Sequence, residues 1–140
     1  MNLEQKHLYR MLDANYNRAK EALRVAEDVL RFSNSSPASV RAWKKVRHRL
    51  SSLLLNFPQS YKKIVACRDV AADSGKASQV NDRKGRVRVS DLFFSNIQRA
   101  EEAVRVLEEC SKAVFPKAAP QFQKMRFEIY ALEKRDLTKF

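Results

Sequence analysis

Glycine is nearly missing from this chain: Gly75 and Gly85 are the only two in 140 residues, and they stand alone. Close backbone approach to a phosphate needs several residues without a side chain, so the glycine-rich loops of nucleotide-binding sheets are all but excluded. No run approaches 18 apolar residues, so no membrane-spanning segment is expected. The N-terminus is charged from Glu4 onward and lacks the apolar core of a secretion signal. Cysteine is scarce too. Cys67 and Cys110 give no disulfide framework and fit a reducing cytoplasm, the location expected here. Arg68 beside Cys67 could lower a thiol pKa, but the plainer reading is a buried thiol without chemistry. No zinc-ligand spacing and no nucleophile elbow is visible.

Acidic residues are absent where basic ones are dense. Residues 33–68 hold eight Lys or Arg and no Asp or Glu, whereas residues 91–140 hold nine basic and eight acidic residues. The net charge of +12 is therefore uneven. Such a field attracts anions, whether nucleic acid, phosphorylated metabolites or acidic membranes, without choosing among them. An apolar fraction of 44% with long periodic stretches argues against disorder, and 140 residues suffice for one domain with a real core.

What the chain does contain is a copy of itself. Residues 15–28 read Asn-Tyr-Asn-Arg-Ala-Lys-Glu-Ala-Leu-Arg-Val-Ala-Glu-Asp, and residues 96–109 read Asn-Ile-Gln-Arg-Ala-Glu-Glu-Ala-Val-Arg-Val-Leu-Glu-Glu. At this offset of 81 (96 minus 15), Asn15/Asn96, Arg18/Arg99, Glu21/Glu102, Arg24/Arg105 and Glu27/Glu108 coincide. A fainter echo at an offset of 79 aligns Trp43 with Phe122, Arg47 with Arg126 and Leu50 with Ile129. Helical periodicity can repeat apolar positions. Repeated Asn, Arg and Glu in fixed register need a structural or chemical reason, and a duplicated helical hairpin is the simplest source.

Caps and periodicity predict four long helices. The first starts after Asn2, with Gln5 completing a capping box, and runs to about Phe32. The second spans about Pro37 to Asn56, with Val40, Trp43, Val46, Leu50, Leu53 and Phe57 inward and Pro58 as its stop. Tyr61–Ala66 reads as a short helix or an extended piece. Residues 67–90 read as a long crossing loop. The third helix is expected from Asp91 to Val114, and the fourth from Ala118 to Lys134 with Phe122, Met125, Ile129 and Leu132 inward. The fold class is all-α: a four-helix bundle of two antiparallel pairs (repeat 1–57 and 91–137, loop 67–90) in one domain, the halves related by a pseudo-twofold axis.

Polar residues interrupt the apolar stripes. Positions 15, 18, 22, 25 and 29 share a face as Asn, Arg, Ala, Val and Val; the repeat supplies Asn96, Arg99, Ala103, Val106 and Cys110. Arg47 and Arg126 sit inside the stripes of the second and fourth helices. All four arginines are expected to point at least partly inward, so each needs a partner. Glu21, Glu102, Glu27, Glu108 and Asp13 could supply it as internal ion pairs, or a bound anion could, gripped by planar guanidinium forks. In the loop, Arg68, Asp69, Asp73 and Gly75 suit a metal–phosphate site, with carboxylates on Mg²⁺ and arginine on phosphate. A turn capped by Asp and Gly accounts for the same residues. Arg41, Lys44, Lys45 and His48 fall mostly on an outward face, where solvation is the default.

These residues also carry a resemblance. Leu12 to Asp28, Val46-Arg47-His48-Arg49-Leu50, Arg68-Asp69-Val70 with Asp73 and Gly75, Asn96 to Glu109, and Arg126 before Tyr130 and Leu132-Glu133-Lys134 resemble the small all-helical domain found N-terminal to some thiamine-phosphate synthases and also alone. That family is regarded as an alternative hydroxymethylpyrimidine-phosphate kinase, unrelated to the ribokinase-like enzyme. The likeness covers about residues 8–134. Ala22 stands where the family pattern has glycine, and Phe127 where it has tyrosine. The synthase barrel is absent, so the chain itself is not expected to couple pyrimidine to thiazole.

The resemblance implies transfer of the γ-phosphoryl group of ATP, with Mg²⁺, onto hydroxymethylpyrimidine phosphate. It implies Arg68, Asp69 and Asp73 at the reacting phosphates, with Asp69 and Asp73 on the metal. Arg18, Arg47, Arg99 and Arg126 would clamp phosphates, Asn15 and Asn96 would position the pyrimidine or ribose, and Glu21 and Glu102 would orient the arginines. The alternatives are a non-catalytic module that binds a phosphorylated thiamine precursor or partners thiamine-phosphate synthase, and a nucleic-acid binder using residues 41–49. The last is disfavoured, because the repeat keeps inward arginines and no row of exposed aromatics is evident. Association with a membrane is not expected, and a homodimer is left open.

Overall fold

The computed structural model describes residues 1–33, 35–77 and 88–140. Five α-helices occur among them: α1 (Leu3–Phe32), α2 (Pro37–Leu55), α3 (Tyr61–Val65), α4 (Val89–Val114) and α5 (Ala119–Leu137). None of the described helices is long and apolar enough to cross a membrane. Asn34 and residues 78–87 of the expected crossing loop lie outside the described residues.

Local chemistry sets the helix ends. Asn2 Oδ1 accepts from the Gln5 N–H at 2.8 Å, and Gln5 Oε1 accepts from the Asn2 N–H at 3.1 Å, closing the capping box that starts α1. Ser36 caps α2 through the Ser39 N–H, with Pro37 in the first turn. Helix α4 starts two residues before the expected Asp91, so this carboxylate lies in the first turn, where it complements the positive end of the helix dipole, rather than at the cap. A turn of 3-10 helix, Pro116–Ala118, leads into α5. Helix α5 outlasts the expected Lys134 because its inward stripe, Met125, Ile129 and Leu132, continues to a buried Asp136.

The four long helices form an antiparallel bundle. Trp43 at the start of α2 meets Phe93 at the start of α4 edge-to-face, with ring centroids 5.7 Å apart. Its indole Nε1 donates to Asp136 Oδ2 at the end of α5 at 2.8 Å. At the other end Phe57, just past α2, contacts Phe115 and Phe122 around the α4–α5 turn. These contacts run α2 antiparallel to α5, and α1 antiparallel to α4. Small side chains mark the α1–α4 pair: Ala19, Ala22 and Ala26 on α1 and Ala100 and Ala103 on α4 are all buried, and small side chains let two helices approach closely. Trp43, Leu50, Phe93, Ile97, Phe122 and Ile129 fill the interior between the pairs.

Among the described residues, Asp136 is the one aspartate fully withdrawn from solvent. Ser39, Trp43, Arg135 and Lys139 all donate to it. Burial alone would push its carboxyl up; these donors outweigh it and hold the group well below the usual carboxylate range.

Candidate functional site

The recurring polar residues fall into two sets with different surroundings. The first set closes each helix pair. Arg47 Nε on α2 donates to Glu27 Oε2 on α1 at 2.8 Å, and Arg126 Nε on α5 donates to Glu108 Oε2 on α4 at 3.0 Å. Both glutamates are buried, and both arginines are largely covered. Arg24 and Arg105 approach the same two glutamates from the turn before, at 4.0 and 3.0 Å. Glu27/Glu108 and Arg47/Arg126 thus occupy equivalent places in the two halves, as internal clasps. The guanidinium of Arg126 also lies over the rings of Phe127 and Tyr130 and donates to the Tyr130 hydroxyl. That puts Phe127, where a tyrosine was expected, on the exposed outer face of α5.

The second set faces outward along the α1–α4 seam. Arg18, Glu21, Arg99 and Glu102 are exposed rather than turned into the core. Beside the small Ala22 and Ala103, their side chains project from the rim of the interface instead of filling it. With Asn15, Val25, Asn96 and Val106 they line a groove of about 580 Å³ whose two walls carry the same residues in opposite directions. Asn15 and Asn96 are the buried members. Each amide Nδ2 donates to a carbonyl four residues back, Asn15 to Met11 and Asn96 to Leu92, both at 2.9 Å. Arg18 Nη1 lies 3.4 Å from Asn15 Oδ1.

One end of this groove opens into a larger cavity of about 870 Å³ between the first half of α1 and the segment after α3. Arg68, Asp69, Val70 and Asp73 form one wall; His7, Arg10, Met11 and Asn17 form the other, together with Asn15, Arg18 and Glu21 of the groove. Arg68 is held by the buried Asp13, with Nε and Nη2 donating to Oδ2 and Oδ1 at 2.5 and 2.6 Å. This fork-on-fork pairing raises the Arg68 pKa, with a smaller contribution from Tyr61. It also pins the segment after α3 to α1.

Asp69 and Asp73 lie on the same wall, and each spends one oxygen on a backbone N–H, of Ala72 at 3.0 Å and of Gly75 at 2.9 Å. Among the described residues no group of three or more metal-ligating side chains comes together. The donor set left is two exposed carboxylates. That suits a Mg²⁺ bound largely by phosphate oxygens and water, the usual state of this ion on nucleotides.

Residues 10–135 match the ThiD2 family. The chain belongs to the ThiD2 family. Thiamine-phosphate synthases are among the relatives of this ThiD2 chain. That of Nostoc punctiforme is 34% identical over 92% of the chain and 35% of its own length. That of Gloeobacter violaceus is 34% identical over 94% of the chain and 37% of its length, and that of a Synechocystis strain is 35% identical over 89% and 34%. The ThiD2 chain spans about a third of the length of the curated relatives it matches. No solved structure matches it.

His7, Arg10, Met11 and Asn17 are cavity residues that sequence reasoning missed. Met11 had a usable signal, since it lies four residues before Asn15 and seven before Arg18, about two helical turns along nearly one face.

Proposed function

We propose that this ThiD2 protein is a phosphotransferase of thiamine biosynthesis that moves the γ-phosphoryl group of ATP onto hydroxymethylpyrimidine phosphate, giving the diphosphate. The observation that carries the reading is the continuous recess formed by the groove and the larger cavity. It lines up Arg18, Arg99 and Arg68 with two carboxylates, in a family whose relatives include thiamine-phosphate synthases.

The acceptor is itself a phosphate with an ionised oxygen at neutral pH, so no general base is needed. Catalysis then consists of bringing two polyanions together and neutralising them. Arg18 and Arg99 clamp phosphate oxygens from opposite walls. Arg68, fixed in orientation by Asp13, faces the transferring group. Asp69 and Asp73 would hold Mg²⁺, which when bound supplies charge neutralisation on the phosphates. Asn15 and Asn96 position the ring-bearing parts of the ligands, and Glu21 and Glu102 flank the arginines. Arg47 and Arg126 act at one remove: as clasps to Glu27 and Glu108 they hold the hairpins that carry the groove.

The clasps also favour a second reading, a module that binds a phosphorylated thiamine precursor or partners a thiamine-phosphate synthase without turnover, because half of the repeated arginines serve architecture. One assay separates the two. Purified protein with MgATP and hydroxymethylpyrimidine phosphate, or the unphosphorylated alcohol, yields ADP and a phosphorylated product if the chain is a kinase. Ligand-induced thermal stabilisation without ADP supports the module.

A further inference from the structure

Asn15 and Asn96 are each more than nine-tenths buried, at 8% exposure, yet both line the groove. Their orientation is dictated chemically. Each amide faces a main-chain carbonyl, of Met11 or Leu92, and only the nitrogen can face a carbonyl without repulsion. The amide oxygens are therefore the groups left to meet a ligand. The only donor that the described residues bring to Asn15 Oδ1 is Arg18, at 3.4 Å, and they bring none to Asn96 Oδ1. Neither oxygen is among the fully buried atoms left without a partner, so Asn96 Oδ1 is reachable from the groove and a ligand donor can take the place of water there.

The amides are too far apart to share one ring. The helices run antiparallel, so Asn96 lies across from Val25, ten residues beyond Asn15 and about 15 Å along the helix. Each half thus presents an amide acceptor, then an arginine, then a glutamate. The complementary fragment is a heteroaromatic amine carrying a phosphate.

We infer that Asn15 and Asn96 are paired specificity residues, each accepting a hydrogen bond from the exocyclic amine of a separate aminopyrimidine-type ring, one on the nucleotide and one on the acceptor. This rests on the proposed kinase reading, in which both reactants carry that fragment: the acceptor as a free ring, adenine as part of its fused ring. The two half-sites read the same fragment twice, and the phosphate ends of the ligands meet between Arg18 and Arg99.

The test compares ATP with the triphosphate of purine riboside, which lacks the amine, and hydroxymethylpyrimidine phosphate with its deamino analogue. Wild-type protein is expected to lose roughly tenfold or more in kcat/KM for each amine removed. Asn15→Ala and Asn96→Ala are each expected to abolish discrimination for one reactant only, chiefly through KM, with melting temperatures checked alongside. Wild-type protein indifferent to both amines overturns the inference, whether or not the variants fold. So do variants that leave discrimination intact or weaken both reactants alike. Failure of the kinase reading has a different signature, no ADP from the natural pair. Thermal shifts with AMP against purine riboside monophosphate, and with the two pyrimidine phosphates, then read the same preference: stabilisation that depends on the amine upholds the inference, and equal stabilisation rejects it.

Discussion

At the scale of single residues, the four repeated arginines separate by what surrounds them. Arg99→Ala should cut ADP formation at least a hundredfold while moving the melting temperature little, because Arg99 is exposed on the groove wall. Arg47→Ala should do the reverse, costing roughly 3 kcal/mol in chemical denaturation, because it leaves the Glu27 carboxylate buried without its strongest partner. The repeat made all four arginines legible as special. It could not divide clasp from groove, since that depends on which side chain arrives from another helix. Glu27 and Asp13 were legible as candidate partners, but not which arginine each would take. Asp136 was invisible for a related reason: a charge on the last step of an apolar stripe looks like the end of the stripe. Asp136→Asn should destabilise by about 3 kcal/mol or more, because four residues donate to that carboxylate. Its depressed pKa also stabilises the fold above the unfolded value of 3.8, and this contribution is lost as the pH falls below it.

At the scale of elements, boundaries marked by a capping box and prolines were readable: Asn2 with Gln5, Pro37 at the start of α2, and the stop before Pro58. The start of α4 was less so, because Arg88 offers no side-chain cap. The α4–α5 contact carries a feature that only coordinates reveal. Glu101 is buried with one carboxyl oxygen, Oε1, lacking a partner among the described residues, and burial raises its pKa to about 8, helped by Glu133 and Glu102. The folded protein keeps this proton where the unfolded chain releases it. The associated stability is complete below pH 4.5 and is lost as the pH rises to about 8. Melting temperatures should therefore decline from pH 5 to pH 8.5, and Glu101→Gln should flatten that decline. A wild-type profile without slope would refute the assignment.

Across the whole molecule, the basic cluster of α2 and the recess occupy different faces. The groove follows the α1–α4 seam, whereas Arg41, Lys44, Lys45, His48 and Arg49 crowd the α2–α5 side, where Arg49 pairs with Glu128. Nonspecific binding to a polyanion such as heparin should be salt-sensitive and should fall sharply in a Lys44→Glu, Lys45→Glu variant, with kcat unchanged at saturating substrate. Coupled loss of both would show that the two faces do not act independently. The clasps have a consequence for how the molecule could be taken apart. Each hairpin is locked by its own glutamate and arginine, and the hairpins meet through buried apolar side chains and the hydrogen bonds of Ser39 and Trp43 to Asp136. Residues 1–77 and 88–140 made as separate polypeptides should recombine when mixed. The reassembled pair should then dissociate on dilution, giving a concentration dependence that the continuous chain cannot show.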